Sequence, residues 1–186
     1  MEVVELALIG ARLIKPKRFG DERGFFSETY NRRQFVEHGI THDFVQDNHS
    51  LSATVGTLRG LHYQAPPAAQ TKLVRVLAGA IYDVIVDVRR GSPTYGQHIG
   101  VHLDPAGDQL LVPKGFLHGF ITLEPDTQVL YKVDDYYSAE ADGCVRWDDP
   151  VLNIEWGGAA RTPTLSDKDR KAPSFDQFKT PFVFEG

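Results

Sequence analysis

The chain has 186 residues, of which 41% are hydrophobic, and this is enough for one domain with a buried core. The formal net charge is −5 at pH 7, so the chain has no excess of basic residues of the kind that binds nucleic acid or an anionic membrane surface. The single cysteine, Cys144, excludes an internal disulfide and a thiolate zinc site. The N-terminal apolar stretch follows acidic residues and no run approaches the length of a membrane span, so we expect a cytoplasmic protein.

Strand patterns dominate the chain. They occur, in chain order, in an N-terminal stretch and then at Gly24–Tyr30, Phe44–Asn48, Lys72–Leu77, Ile81–Val88, His98–Leu103, Phe116–Leu123 and Val129–Val133. Glycine and proline turns separate them at intervals typical of a sandwich or barrel. One helix is predicted over Asn31–Gly39, and a short one over Asp167–Arg170 with Ser166 as its N-cap. Residues 1–186 therefore predict a single all-β domain, a jelly-roll barrel with a few short helices.

Along the predicted strand Ile81–Val88, acidic residues fall on one face and apolar and aromatic residues on the other. Tyr82, Val84, Val86 and Val88 share one face, whereas Asp83 and Asp87 lie on the other.

Two basic residues and a histidine fall where barrel strands are expected to be apolar. Arg59 and His62 are three positions apart and would face opposite sides of a regular strand, but Gly60 between them permits a bulge that turns both inward. Lys72 shares a face with the apolar residues that follow it at alternate positions. A lysine on an inner face must be paired or used, or else lie hydrated at the rim, and the residues alone leave both interpretations open.

Further polar residues align on strand faces. Tyr131 shares a face with Val129 and Val133, which points its phenol into the barrel, either for a reaction or to satisfy a backbone carbonyl. Gln46, Asn48 and Ser50 also share a face, and such a face suits hydrogen bonds to a base or sugar but equally suits solvent.

A turn of the form Pro113-x-Gly115-x-x-His118 resembles the second motif of the cupin barrels, in which the histidine often binds a metal. The companion motif needs two histidines and a carboxylate, but this chain offers only His62 in that region. We therefore predict no metal site, which leaves His62 free either for proton chemistry or for a structural role in the barrel. The remaining histidines are predicted to lie at the surface: His38, His42, His49, His98 and His102.

Blocks along most of the chain resemble the dTDP-4-dehydrorhamnose 3,5-epimerase family. They include Asp21-x-Arg23-Gly24-x-Phe26-x-Glu28, Gln46-x-Asn48-x-Ser50, Arg59-Gly60-Leu61-His62-Tyr63-Gln64, Lys72-Leu73-Val74-Arg75, Tyr131-Lys132 and Leu165-Ser166-x-Lys168-Asp169. The resemblance implies a cupin-type jelly roll (a double-stranded β-helix). It also implies an enzyme without cofactor or metal that inverts C3 and C5 of dTDP-4-dehydro-6-deoxy-D-glucose in dTDP-L-rhamnose biosynthesis. A homodimer is implied as well, with ligand contacts that cross the interface.

The resemblance also implies residue roles. His62 would be the general base, Asp169 would orient it, Lys72 would hold the C4 oxygen of the sugar, and Tyr131 would return a proton from the opposite face. The implied substrate-binding residues are Arg23, Phe26, Glu28, Gln46, Asn48, Arg59, His118, Tyr137, Asp142 and Lys168. These roles suit the chemistry, because removing a proton next to a ketone places negative charge on the C4 oxygen, which a cation stabilises.

Alternatives and departures accompany this interpretation. A relative that inverts only C3 or only C5 would share most of these residues, and a non-catalytic sugar-nucleotide-binding cupin or a metal-dependent cupin would share the fold.

After Trp156 the chain has Gly157 and Gly158 where the family usually has proline. Asp142 stands where many relatives have glutamate.

Overall fold

The computed structural model describes residues 1–185, which form thirteen β-strands and two short α-helices with two 3-10 turns. The strands are β1 Glu2–Glu5, β2 Arg12–Lys15, β3 Arg18–Asp21, β4 Gly24–Ser27, β5 Gln46–Ser52, β6 Leu58–Gln64, β7 Lys72–Ala78, β8 Ile81–Asp87, β9 His98–Leu103, β10 Gln109–Val112, β11 Phe116–Thr122, β12 Thr127–Val133 and β13 Asp142–Cys144. The α-helices are α1 Arg32–Glu37 and α2 Asp167–Arg170, and the 3-10 turns are Gly158–Arg161 and Phe175–Gln177.

Two antiparallel sheets face each other. One has six strands in the order β1-β2-β10-β7-β12-β5, and the other has five in the order β13-β6-β11-β8-β9. Strands β3 and β4 form a separate hairpin. One core cluster fills the space between the sheets, where Val74 and Leu110 of the first meet Ile85 and Phe120 of the second. This arrangement confirms the prediction of an all-β jelly roll.

The outer face of each sheet is also covered. The C-terminal segment, including Trp156 and Phe182, packs on the outer face of the five-stranded sheet. Helix α1 places Phe35 against Leu73 and Leu111 of the six-stranded sheet. Within residues 1–185, no helix is long and apolar enough to cross a membrane.

Burial on both faces explains the pattern of β8. Its residues Val84 and Val86 pack against the C-terminal segment, while Ile81 and Ile85 enter the barrel core. Asp83 lies on the same side as Ile81 and Ile85 and is therefore directed into the barrel, where it is fully buried. The alternation was predicted, but both faces of this strand are covered.

The bounds of two predicted strands differ from the structure by more than two residues at one end, whereas the other predicted ranges differ by at most two. The strand expected at Phe44–Asn48 is Gln46–Ser52, because residues 46–52 pair along their whole length with β12. The strand expected at Gly24–Tyr30 stops at Ser27. Tyr30 and Phe44 instead pack edge-on around the helix, with the Tyr30 ring 4.9 Å from that of Phe35 and 5.5 Å from that of Phe44.

Both predicted helices form, but α1 spans Arg32–Glu37 rather than Asn31–Gly39, and only the cap of α2 was predicted. The side chain of Asn31 accepts hydrogen bonds from the amides of Arg33 and Gln34 at the start of α1. Ser166 accepts from the amide of Asp169 at the start of α2, with a distance of 3.1 Å. The second cap matters most, because α2 carries two of the predicted site residues.

Candidate active site

A cavity of about 480 Å³ opens between the two sheets at one end of the barrel. Most of the predicted site residues line it: Arg59, His62, Lys72, His118, Tyr131, Tyr137, Asp142, Lys168 and Asp169. All but Tyr137, which lies in the loop between β12 and β13, come from β6, β7, β11, β12, β13 and α2, so both sheets and the C-terminal segment contribute. This is the size of pocket that holds a small organic ligand.

A bulge in β6 brings Arg59 and His62 into the same pocket, as predicted. Gly60 has a φ of +138°, and the pairing of β6 with β11 shifts register at this point. As a result, His62 lies opposite His118 while Arg59 lies opposite Phe120. A side chain at position 60 would meet the backbone of β11, with its Cβ 2.5 Å from the Cα of Gly119. Glycine is thus required for both the conformation and the close approach.

His62 and Asp169 form a hydrogen-bonded pair. The distance from Nε2 of His62 to Oδ1 of Asp169 is 2.5 Å, and the carboxylate is buried. Ser166 donates to the other carboxylate oxygen at 2.8 Å. Burial alone would raise the pKa of Asp169, but the hydrogen bonds from His62 and Ser166 and the nearby positive charge lower it overall. An ionised carboxylate accepts a hydrogen bond from Nε2–H, which leaves Nδ1 of neutral His62 with a free lone pair that can act as a base.

Lys72 and Tyr131 face this pair from the six-stranded sheet. They are diagonal neighbours on β7 and β12, and Nζ of Lys72 lies 5.9 Å from the centre of the Tyr131 ring. Burial lowers the pKa of Lys72 to about 8. Burial also raises the pKa of the Tyr131 phenol, which keeps it protonated at neutral pH. Lys72 thus lies inside the pocket rather than hydrated at its rim.

Charged residues gather at the pocket mouth. Lys168 donates a hydrogen bond to Asp142, and the Tyr137 hydroxyl lies 3.4 Å from the same carboxylate oxygen. Arg59 is held from the side by β5, where its Nε donates to Oγ of Ser52 at 3.3 Å. The shorter side chain at position 142 therefore still reaches Lys168.

Two other predicted residues lie beside the mouth without lining the cavity. Gln46 donates to Oδ1 of Asn48 at 2.8 Å, and its own side-chain oxygen accepts from the amide of Tyr137 at 3.2 Å. This amide pair can support Tyr137 from outside the cavity.

The remaining predicted residues lie apart from the pocket of their own chain. The Arg23 side chain is 89% exposed and Phe26 is 70% exposed, both near the tip of the β3–β4 hairpin. Glu28 accepts hydrogen bonds from Asn31 and Gln34 at the start of α1. None of these three residues lines the cavity described within residues 1–185.

Sequence reasoning gave Asp83 no role in the site. Its Oδ1 lies 2.8 Å from Nε2 of His118, so a second histidine–carboxylate pair stands next to the first. The available signal was the shared face of Asp83 with Ile81 and Ile85. Of the histidines predicted at the surface, none lines the cavity, although His42 contacts Asp134 at 3.1 Å and is half-buried like His98.

Among residues 1–185, no group of three or more histidine, cysteine or acidic side chains is arranged to hold a metal ion. The absence of a metal from the reaction stays a prediction.

A jelly roll that directs acid–base side chains into its interior from both sheets defines a cupin-type enzyme of proton-transfer chemistry. The family model for dTDP-4-dehydrorhamnose 3,5-epimerase matches residues 5–177. The chain belongs to this family of isomerases.

Relatives are similar over nearly the whole chain. The dTDP-4-dehydrorhamnose 3,5-epimerase of Sinorhizobium fredii is 48% identical over 180 residues, which cover 96% of this chain and 92% of the relative. The crystal structure of the Bacillus anthracis enzyme of the same name, with TDP and PPi bound, has a TM-score of 0.90 at 55% identity and covers 93% of this chain and 98% of that one. A Legionella pneumophila dTDP-6-deoxy-D-glucose-3,5-epimerase in complex with dTDP-4-keto-L-rhamnose has a TM-score of 0.92 at 41% identity, with 98% of both chains covered. The predicted family and fold are confirmed.

Proposed function

We propose that this protein inverts C3 and C5 of dTDP-4-dehydro-6-deoxy-D-glucose to give dTDP-4-dehydro-L-rhamnose, a step of dTDP-L-rhamnose biosynthesis. One observation carries the mechanism. His62 enters the cavity from the five-stranded sheet, and Tyr131 enters it from the six-stranded sheet. A sugar held between the sheets would therefore have a base on one face and an acid on the other, as inversion requires.

Each inversion moves two protons. Nδ1 of His62 removes the proton from the carbon next to the ketone, and the electron pair of the C–H bond becomes the enolate. The ammonium group of Lys72 stabilises the charge that develops on the C4 oxygen. The Tyr131 hydroxyl then protonates the carbon from the opposite face. His62 is left protonated and Tyr131 ionised, and the open pocket lets solvent restore both before the second carbon reacts.

The nucleotide diphosphate fits the charged mouth. We propose that Arg59 and Lys168 bind the diphosphate, because cations near the cavity can hold an anion despite the negative net charge. Tyr137, which is 61% exposed at the mouth, can stack on the base, and the Gln46–Asn48 pair offers hydrogen bonds beside it. The TDP-bound and dTDP-sugar-bound relatives support a dTDP-sugar substrate.

We also propose a homodimer with ligand contacts across the interface. The β3–β4 hairpin exposes three aromatic rings, with Phe19 54%, Phe25 62% and Phe26 70% exposed. Phe19 and Phe26 are cross-strand partners on one face of the hairpin and Phe25 lies on the other. Exposed aromatic side chains on one small element are typical of a protein interface. Contact with a second copy would cover the rings and bring Arg23 to the partner's pocket. Light scattering on the wild type and on a Phe25→Asp/Phe26→Asp variant tests this, and a monomeric wild type would refute it.

We propose that the enzyme acts in the cytoplasm, because a diphosphate ester is too highly charged to cross a bilayer unaided.

Solvent isotope exchange tests the function. The protein is incubated in D2O with dTDP-4-dehydro-6-deoxy-D-glucose, and a coupled reductase traps the L-sugar for analysis. Deuterium at both C3 and C5 of the product is expected. Deuterium at one carbon would instead indicate a single-site epimerase, and no exchange would indicate a non-catalytic sugar-nucleotide-binding cupin.

A further inference from the structure

The proposed reaction gives no role to Asp83, a charged residue of the barrel interior that lies beside the pocket. Asp83 on β8 is 0% exposed. Its Oδ1 accepts a hydrogen bond from His118, but its Oδ2 is buried and has no hydrogen-bond partner within residues 1–185. Burying a half-satisfied carboxylate is costly unless a positive charge nearby compensates for it.

Lys72 is the positive charge inside the barrel that can compensate for Asp83. Its ammonium enters the pocket from the opposite sheet and forms no direct ion pair within the part of the chain described. Burial disfavours the charged form of Lys72, and Asp83 opposes this more strongly than Asp142 does. The other ionisable groups that line the pocket around Lys72 are Arg59, His62, Tyr63, His118, Tyr131, Tyr137, Lys168 and Asp169.

His118 links Asp83 to the reacting histidine. It lies directly opposite His62 across β6 and β11, and its side chain is almost fully buried. Because an ionised carboxylate can only accept, Asp83 holds the ring proton of neutral His118 on Nε2, and Nδ1 becomes the free acceptor. A sugar hydroxyl could donate to that atom.

We propose that Asp83 is a positioning residue of this active site, which keeps Lys72 charged through space and fixes the ring tautomer of His118. The inference rests on the proposed function, since it explains how the cation that meets the enolate stays protonated in a desolvated pocket. One carboxylate thereby serves two pocket side chains from opposite sheets.

The Asp83→Asn substitution removes the negative charge of the side chain and keeps its shape. The amide oxygen can still accept from Nε2 of His118, but the negative charge is lost. We expect the alkaline limb of kcat/KM to move down by about one pH unit, which reduces activity about fivefold at pH 8 and little at pH 6.5. Competitive acetylation of Lys72, followed by mass spectrometry across the same pH range, should show the same shift without relying on turnover. Asp83→Glu keeps the charge and should leave the limb in place.

Asp87→Asn is the matched control. Asp87 lies on the same strand, is equally buried, and accepts hydrogen bonds from Arg89, Ser92 and Thr94. The Asp87→Asn variant should be less stable than the wild type, but the alkaline limb of its kcat/KM profile and the pH dependence of Lys72 acetylation should not move. An Asp83→Asn protein with wild-type profiles in both measurements would overturn the proposal.

A measurement on the wild type keeps the proposal testable if Asp83→Asn does not fold. The carboxyl carbon-13 shift of Asp83 should report an ionised group at pH 7, and a protonated group would overturn the counterion role. Failure of the proposed function would look different, because the wild type would then show no exchange at C3 or C5 whatever the state of Lys72.

Discussion

Replacing Gly60 by alanine tests whether the bulge in β6 builds the active site. A φ of +138° costs a residue with a Cβ about 1–3 kcal/mol. The new Cβ would also lie 2.5 Å from the Cα of Gly119 and 3.0 Å from the carbonyl oxygen of His118. Strand β11 is held between β6 and β8 and cannot move away freely, so overpacking adds about 1–3 kcal/mol. The free energy of unfolding should fall by about 2–6 kcal/mol in total, a large part of a typical 5–15 kcal/mol.

Urea unfolding and steady-state kinetics measure the two consequences. Because Gly60 sets the direction of Arg59 and His62, a shift of about 1 Å in β6 should reduce turnover of the folded variant about 100-fold. Gly158→Ala is the control, since its Cβ would meet nothing within 4 Å. A Gly60→Ala protein within about 0.5 kcal/mol of wild type and with wild-type turnover would refute this reasoning.

Three further predictions concern protons and metals. The value of kcat/KM should fall as pH rises through about 8, because Lys72 is charged only below its lowered pKa; a flat profile to pH 10 would contradict this. Asp169 has a lowered pKa in the folded state, so its contribution to stability is present above the unfolded pKa of about 4 and is lost as pH falls through the folded value. Asp169→Asn should remove that part of the acid dependence and lower turnover about 10²–10⁴-fold by disturbing His62, whereas unchanged turnover would argue against the pair. Exhaustive chelation should leave full activity, and loss of activity that added metal restores would contradict metal-free chemistry.

Local periodicity was enough to predict much of the barrel and part of the site. Strand alternation put Tyr131 and Lys72 on apolar faces but left open whether Lys72 lies hydrated at the rim, and both line the cavity. Gly60 between Arg59 and His62 predicted the bulge that brings both into the pocket. These features depend on backbone geometry over a few residues, so the residues themselves reveal them.

Contacts between distant segments could not be predicted in this way. His62 and Asp169 are 107 positions apart, and only the resemblance to a family paired them. The contact between His118 and Asp83 spans 35 positions and depends on the register of β8 with β11. The bounds of β5 follow its pairing with β12 rather than its own hydrophobic pattern.

Proton exchange by single-site variants tests opposite-face transfer most directly. In D2O, Tyr131→Phe should still exchange the C3 proton, because His62 can remove it and return a deuteron to the same face with retention of configuration. His62→Asn should neither exchange nor invert. We predict that Tyr131→Phe exchanges the proton without inverting the carbon, and that His62→Asn shows neither exchange nor inversion. Inversion at the wild-type rate by Tyr131→Phe, or exchange by His62→Asn, would contradict the assignment of acid and base to opposite sheets.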